Sequence, residues 1–295
     1  MFYRRKPLKF KSAWKKAAAY ALCFAAAALA FVYWLFPADL IRDAIASRAE
    51  KIAPGVETRV EKIAPALPAG IRLKQAGLYL DGGELIYFDH LKVTARIFSL
   101  MGSRRRFDFT GALYDGGLFG EISFQENGPG KETRLDCRFS GVNAARHAAV
   151  RRMSWNPGLH PLNGRLSFRK KPGDPGRAAL FLTDVRINFP QAVFGIERAA
   201  FSAIEAEAVL KTDGATIAKC VMKGNQAEIE ISGSVLYGRD IRTSALRLNG
   251  VFRIKDAWKE DGGLAGLLAG GLFGDGGVRF RVRGTLANPR FSLAE

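Results

Sequence analysis

The chain has 295 residues, enough for one large domain or two ordinary ones, and its formal net charge is +17. The charge is uneven, because residues 1–16 hold seven Lys or Arg and no acid, which leaves 17 − 7 = +10 for the remainder. Only three Cys are present, and their spacing excludes the disulfide framework of a small secreted domain.

A stretch without charge follows the basic tail. Residues 17–36 read AAAYALCFAAAALAFVYWLF, which is about the length that a helix needs to cross a bilayer. Tyr33 and Trp34 stand near its far end, where aromatic side chains suit the membrane interface. The stretch therefore predicts a single transmembrane helix. A cleaved signal peptide is the alternative, but its apolar region should be shorter and should end in small residues rather than FVYWLF.

The flanks of this stretch predict its orientation. All seven charges of the tail 1–16 are positive, whereas Pro37 and Asp39 open the other side. By the positive-inside rule, the tail is expected in the cytoplasm and residues 37–295 across the membrane. Residues 37–55 carry Ile41, Ile45 and Ile52 at helical spacing, which predicts a juxtamembrane amphipathic helix that ends at a Pro-Gly pair.

From residue 56 onward, apolar and polar side chains alternate with a period of two. VRFRVRGT, residues 278–285, places three Arg on one side and Val278, Phe280 and Val282 on the other. TRLDCRFSGV, ALFLTDVRINF and AEIEISGSVLYG show the same pattern, and Gly, Asp, Asn and Pro separate the segments. Residues 56–295 are therefore predicted to form a mainly β domain of antiparallel strands.

About twelve strands with one apolar face need a cover, and the sequence offers only one or two short helices. The sheet must close over itself as a sandwich or a closed sheet, curl into a trough, or present its apolar face to lipid. We expect the apolar interior to be lined by aromatic residues from alternate strand positions: Phe107, Phe109, Phe139, Phe168, Phe252 and Phe280.

The glycine-rich segment 261–277, DGGLAGLLAGGLFGDGG, repeats Gly at every fourth position. A membrane-dimerisation motif requires an apolar stretch near twenty residues, and this one is shorter. A Gly/Leu loop or a short helix that plugs an open end of the sheet is the better interpretation. Cys137 and Cys220 could pair outside the cytoplasm, but two free thiols on apolar positions are favoured.

No catalytic or metal-binding template is present in the sequence. His90, His147 and His160 have no ligand spacing, and nucleophile-elbow, phosphate-loop and zinc-protease motifs are missing. We therefore predict a protein that is not an enzyme and has no cofactor. Short Arg clusters interleaved with aromatic residues are compatible with nucleic-acid binding. A domain outside the cytoplasm would not meet nucleic acid, so we expect membrane lipids as the partner instead.

Taken together, three landmarks resemble a known family. They are FPADLIRD after the anchor, PALPAGIRL before the first strands and GTLANPRFSL at the C-terminus. With the tail, the anchor and the β-rich body, they resemble the type II secretion system protein N (GspN) family, which is similar to AsmA-like envelope proteins. The resemblance covers nearly the whole chain, but none of its landmarks is a catalytic signature.

The resemblance implies a single-pass protein of the bacterial inner membrane with its bulk in the periplasm. One expectation is a non-catalytic scaffold that contacts other type II secretion subunits. The alternative is an AsmA-like groove that binds or transfers lipid during envelope biogenesis, with a long curled sheet and an apolar interior. The family provides no binding residues that can be assigned to positions in this chain.

Overall fold

The computed structural model describes residues 18–24, 27, 31, 33–52, 55–67, 69–80, 82–127, 130–151, 161–193, 196–225, 227–238, 241–255 and 277–294. Strands dominate these residues, which confirms the mainly β fold class. Beyond residue 37, the described helices are α1 (Ala38–Ile52), α2 (Ile97–Leu100) and α3 (Ala148–Arg151). The 3-10 turns Ala144–Arg146 and Ile241–Thr243 add little further helical structure.

In the described part of the chain, fourteen strands follow α1, and they all belong to one sheet. In chain order they are β1 (Val56–Ala66), β2 (Gly70–Leu80), β3 (Gly83–Ala95), β4 (Arg104–Leu113), β5 (Gly116–Asn127), β6 (Gly130–Val142), β7 (Leu162–Lys170), β8 (Gly176–Val193), β9 (Ile196–Leu210), β10 (Gly214–Gly224), β11 (Ala227–Leu236), β12 (Ala245–Ile254), β13 (Val278–Thr285) and β14 (Pro289–Leu293). Each strand pairs antiparallel with the next, so sheet order equals chain order. The alternative of two separate sheets packed as a sandwich is not found among the described strands.

The tight hairpin between β4 and β5 shows how one turn is held. Tyr114 and Asp115 both have positive φ, +48° and +67°, a combination that a two-residue hairpin turn requires and that Tyr rarely adopts. The Tyr114 hydroxyl donates a hydrogen bond to Glu84 at 2.9 Å and accepts one from the backbone N–H of Tyr87 at 3.1 Å. Burial, together with Glu84, holds the pKa of Tyr114 above its usual range. The buried ring therefore offsets the strain of its own backbone.

A line of irregularities crosses the sheet from β1 to β9. One residue in each of six strands has a positive φ or lacks a register partner: Glu61, Gln75, Asp89, Gly141, Asp184 and Ser202. Bulges bend a strand and increase its local twist. Because these residues lie at one level, their effects on the shape of the sheet add up along a line perpendicular to the strands.

Helix α1 packs on the apolar side of the first strands. Ile41 and Ile45 contact a cluster that contains Ile63, Leu73 and Ala76. Two further clusters lie along the same sheet, one centred on β8–β10 and one on β11–β13. Each cluster is formed mainly by neighbouring strands, as expected for a single layer rather than for two layers facing each other.

The N-terminal part of the chain is only partly described. Residues 18–24, 27, 31, 33 and 34 are helical, and Tyr33 and Trp34 are exposed. Within the described residues, no helix has the length and hydropathy that crossing a bilayer requires. The anchor predicted over residues 17–36 includes residues outside the described ranges and stays a prediction. The basic tail 1–16 and all of segment 261–277 except residue 277 also lie outside them.

Candidate functional site

The register of the sheet aligns apolar side chains into rows that cross the strands. Directly opposite residues of antiparallel strands point to the same face, so each row can be followed from strand to strand. The central row consists of Ile63, Leu73, Leu91, Gly111, Leu118, Phe139, Gly164, Leu182, Ile204, Met222, Ile229, Phe252 and Val278. It contains no polar side chain over thirteen strands. We call the face that carries this row the apolar face.

Two flanking rows continue the apolar face on one side of the central row. One contains Phe109 and Phe280, and the other contains Phe107 and Phe168. The remaining members of both rows are also apolar residues or glycines. All six predicted lining residues, including Phe139 and Phe252 of the central row, therefore lie on one face of the sheet. Phe252 and Phe280 are buried, and the other four are partly exposed.

Several of these aromatic rings lie over a glycine of the neighbouring strand. Phe109 is opposite Gly120, Phe139 is opposite Gly164 and Phe280 is opposite Gly250. A methyl group added to the α-carbon of Gly120 would stand 2.6 Å from Cζ of Phe109, closer than atoms can approach. The missing side chain thus provides the space into which the ring folds, as in aromatic rescue of a strand glycine. The rings consequently cover the backbone of the sheet.

Cys137 and Cys220 occupy the same flanking row as Phe109 and Phe280. Three strands separate β6 from β10, which places the two thiols roughly 19 Å apart along the sheet, too far for a disulfide. Both are free, as the sequence analysis favoured. Burial raises the pKa of the Cys137 thiol to about 11 and also raises the pKa of Cys220. Neither thiol has the electropositive surroundings of a reactive cysteine.

The opposite face, which we call the outer face, carries the charges. In β13, Arg279, Arg281 and Arg283 are exposed, while their apolar neighbours Val278 and Val282 are buried. The alternation of apolar and Arg residues in the sequence therefore corresponds to alternating buried and exposed side chains along β13. Arg283 stands directly opposite Arg247 on β12 and Arg290 on β14, so this end of the outer face is strongly cationic.

Ion pairs organise the outer face between β4 and β7. Arg96 donates two hydrogen bonds to Asp108, at 2.7 and 2.8 Å, and contacts Glu121 at 2.9 Å. The hydrogen bond from Arg96 lowers the pKa of Asp108. Arg165 pairs with Asp136 at 3.0 Å. These pairs border a shallow concavity of about 370 Å³.

An aromatic and arginine patch adjoins this concavity. Phe119, Arg138, Arg165 and Phe181 stand side by side on four consecutive strands of the outer face. The two Phe side chains are 48% and 42% exposed, respectively, on a face that is otherwise mainly polar or charged. Aromatic residues and Arg are the residue types that dominate protein interfaces. This outer patch was not recognised in the sequence, because only the strand register places its four residues together.

The described polar groups show no cluster that could bind a metal ion. No group of three His, Cys, Asp or Glu residues among them could hold one. His147 packs edge-on against Tyr114 and lies 3.1 Å from the carbonyl of Leu85, a contact that supports the β4–β5 turn. His90 is exposed on β3, and His160 lies outside the described residues.

Comparisons of the chain with protein-family models, with curated proteins and with solved structures found no match.

We predict that Gly250→Ala destabilises the fold by about 1–3 kcal/mol, because the new methyl group would stand 2.6 Å from Cε1 of Phe280. The matched control is Gly117→Ala, whose methyl group would lie 3.5 Å from Oγ of Ser140, an ordinary contact. Urea unfolding of the detergent-solubilised chain, followed by circular dichroism, measures both. Equal free energies of unfolding for the two variants would contradict the ring-over-glycine arrangement.

The Cys137 thiol should resist alkylation by iodoacetamide near neutral pH in the folded chain. In a Cys23→Ala/Cys220→Ala variant, the rate should rise steeply only as the pH approaches the raised pKa of about 11. In denaturant, the same rise should occur near the ordinary thiol pKa of about 8.5. Because the folded state favours the neutral thiol, stability from this site is present below pH 8.5 and is lost as the pH rises through 11. Identical pH profiles in both states would rule out a buried Cys137.

Proposed function

We propose that this chain is a membrane-tethered protein of the bacterial envelope whose sheet curls into a groove and holds lipid acyl chains against its apolar face. The observation that carries the proposal is the central row, which runs over thirteen strands without a polar side chain. At about 4.8 Å per strand, the row extends roughly 60 Å along the sheet.

The apolar face has more surface than the described helices cover. Helix α1 packs on the cluster of Ile63, Leu73 and Ala76 near one edge, and it contacts β1 most closely. In the described part of the chain, α2 and α3 are only one turn each and pack beside β4 and β3. Leaving apolar surface in water costs about 25 cal/mol per Å², so a face of this length favours an apolar occupant. Acyl chains have the required chemistry and shape.

The line of irregularities supports a curled rather than a flat sheet. At one level, register shifts at Asp89, Gly141 and Ser202 bend β3, β6 and β9, and positive-φ residues interrupt β2 and β8. Curvature toward the apolar face would make a trough from a single layer. This form agrees with the AsmA-like groove that the sequence resemblance implies.

The proposed tether is derived from the sequence. Residues 17–36 have the length and composition of an anchor, and Tyr33 and Trp34 would lie at its interface with water. The basic tail would remain in the cytoplasm, with the sheet in the periplasm. The protein would then take its lipid from the inner membrane in which it is held.

Neighbouring residues of β8 provide a matched test. Leu180 lies on the apolar face, and Phe181 lies on the outer face. The photo-crosslinking amino acid p-benzoylphenylalanine at position 180 should form phospholipid adducts in membranes, because its ring would contact the bound acyl chains. At position 181 the same group should give little or no lipid adduct. Mass spectrometry of the purified full chain measures both yields, and equal yields would exclude a lipid-holding apolar face.

A second candidate function is a non-catalytic scaffold of the type II secretion system, which the family resemblance implies. The outer patch favours it, since exposed Phe119 and Phe181 flank two arginines on the face turned away from the proposed lipid. Such a patch suits a protein partner, for which other secretion subunits are the candidates. The two functions are compatible because they use opposite faces of one sheet.

Affinity purification from native membranes tests this second candidate. The unaltered chain should recover type II secretion subunits, and Phe119→Ala/Phe181→Ala should reduce their recovery several-fold while leaving the β-rich circular dichroism spectrum intact. Tyr237→Ala, which removes an exposed aromatic side chain elsewhere, serves as the control and should recover them fully. A complex that contains only lipid would contradict the scaffold function.

A further inference from the structure

The connection between β3 and β4 turns its apolar side chains outward. Phe98 and Met101 are 93% and 90% exposed, and Ile97 and Leu100 are also exposed. We call Ile97–Met101 the apolar knob. The knob contains one polar side chain, Ser99, and this is the side chain that faces the protein. Its polarity is therefore the reverse of an ordinary surface turn, in which apolar groups point inward and polar groups point to water.

Hydrogen bonds to Ser99 hold the knob in this orientation. The Ser99 hydroxyl donates to the carbonyl of Arg96 at 2.7 Å and accepts from the backbone N–H of Arg106 at 3.0 Å. The Ser99 carbonyl accepts a further bond from Gly102 at 3.3 Å. Because both ends of the turn are bonded through Ser99, the four apolar side chains cannot rotate inward without breaking these bonds.

Cationic residues follow the knob directly. Arg104, Arg105 and Arg106 open β4, and Arg105 and Arg106 each approach one carboxylate only loosely, at 3.7 and 4.0 Å. An apolar tip beside a cluster of Arg is complementary to a bilayer with anionic headgroups. The apolar side chains suit the acyl boundary, and each Arg near the surface adds to the attraction.

The knob also lies at the end of the sheet that the N-terminal segment, the chain before Phe36, approaches. Three residues link α1 to β1, so the helix runs back along the strand, and Phe36 and Ala38 pack near Ile63 and Leu73. At 1.5 Å per helical residue, α1 is about 22 Å long, which equals the length of roughly seven strand residues. The N-terminal end of α1 therefore lies beyond the middle of β1. The chain before Phe36 therefore reaches the sheet on the side where β1 ends. The antiparallel order places the β3–β4 connection at this same end.

We propose that the apolar knob inserts into the headgroup and acyl boundary of an anionic bilayer, the same membrane that holds the N-terminal helix. Resting on the proposed function, this contact would set the nearby end of the apolar face against the membrane, so that acyl chains pass between the two without crossing water. The flanking row that contains Phe107 begins next to the knob, because Phe107 is opposite Ala95, the last residue of β3.

A bilayer fits the knob better than a protein partner. A stable protein interface buries roughly 800 Å² on each side, more than four side chains on one turn can provide. Fluid acyl chains need neither a large area nor a specific geometry, and the adjacent arginines provide the charge that headgroups require.

The same photo-crosslinking chemistry tests the inference in the full chain. p-Benzoylphenylalanine replaces Phe98, and the control replaces Phe119, an exposed Phe of the outer face. The chain is reconstituted into vesicles of phosphatidylethanolamine and phosphatidylglycerol. We expect several-fold more lipid adduct at position 98 than at position 119. Replacing phosphatidylglycerol by phosphatidylcholine, or introducing Arg104→Gln/Arg105→Gln, should reduce the yield at position 98.

Equal lipid yields at positions 98 and 119 would overturn the insertion of the knob, as would adducts in native membranes that consist mainly of protein. A lipid-adduct yield at position 98 that changes neither with lipid charge nor with the two Arg substitutions would overturn the preference for anionic lipid. Crosslinking at position 180, measured in the same vesicles, separates the two proposals. Lipid adducts at 180 without adducts at 98 would reject the knob contact and leave the lipid-holding face in place.

Discussion

The strict alternation of side chains, kept in register through antiparallel pairing, is the constraint on which this structure depends. A slip of one residue in any strand would move its apolar set to the other face and interrupt the rows. The three rows remain continuous, because the irregular residues of β2, β3, β6, β8 and β9 lie at one level beside the central row, on the side away from both flanking rows. One face of a single layer thereby becomes apolar without interruption, while the other face carries nearly all the charge.

Glycine and phenylalanine act together on the apolar face. Where a Phe is opposite a Gly, the ring lies down on the sheet and covers the backbone, as Phe280 does over Gly250. The rings thus add apolar surface without standing upright in the space above the sheet. The buried thiols of Cys137 and Cys220 fit the same description, since they behave as small apolar side chains in a row.

The proposed contacts use different parts of the sheet. Lipid would occupy the apolar face, and protein partners would contact the outer patch around Phe119 and Phe181. The membrane would meet the apolar knob at the end of the sheet that the N-terminal helix approaches. The exposed side chains at each place have the chemistry of the expected partner: aliphatic and aromatic rows, an aromatic and arginine patch, and an inverted apolar turn beside cationic residues.

The sequence by itself determined the mainly β class, most of the strands and the split between apolar and charged positions, because these follow from local periodicity. It also indicated the helix now seen as Ala38–Ile52 and the six Phe that share one face. Strands β10 and β14 were not recognised separately: the bulge near Ala218 interrupts the alternation of β10, and Pro289, the first residue of β14, was read as the end of the strand pattern. The choice of one continuous sheet over two packed layers, the side-by-side placement of Phe119 and Phe181, and the outward direction of Phe98 came only from the tertiary structure. Each of these depends on which strands pair and on hydrogen bonds such as those of Ser99, and the local sequence pattern is compatible with more than one answer.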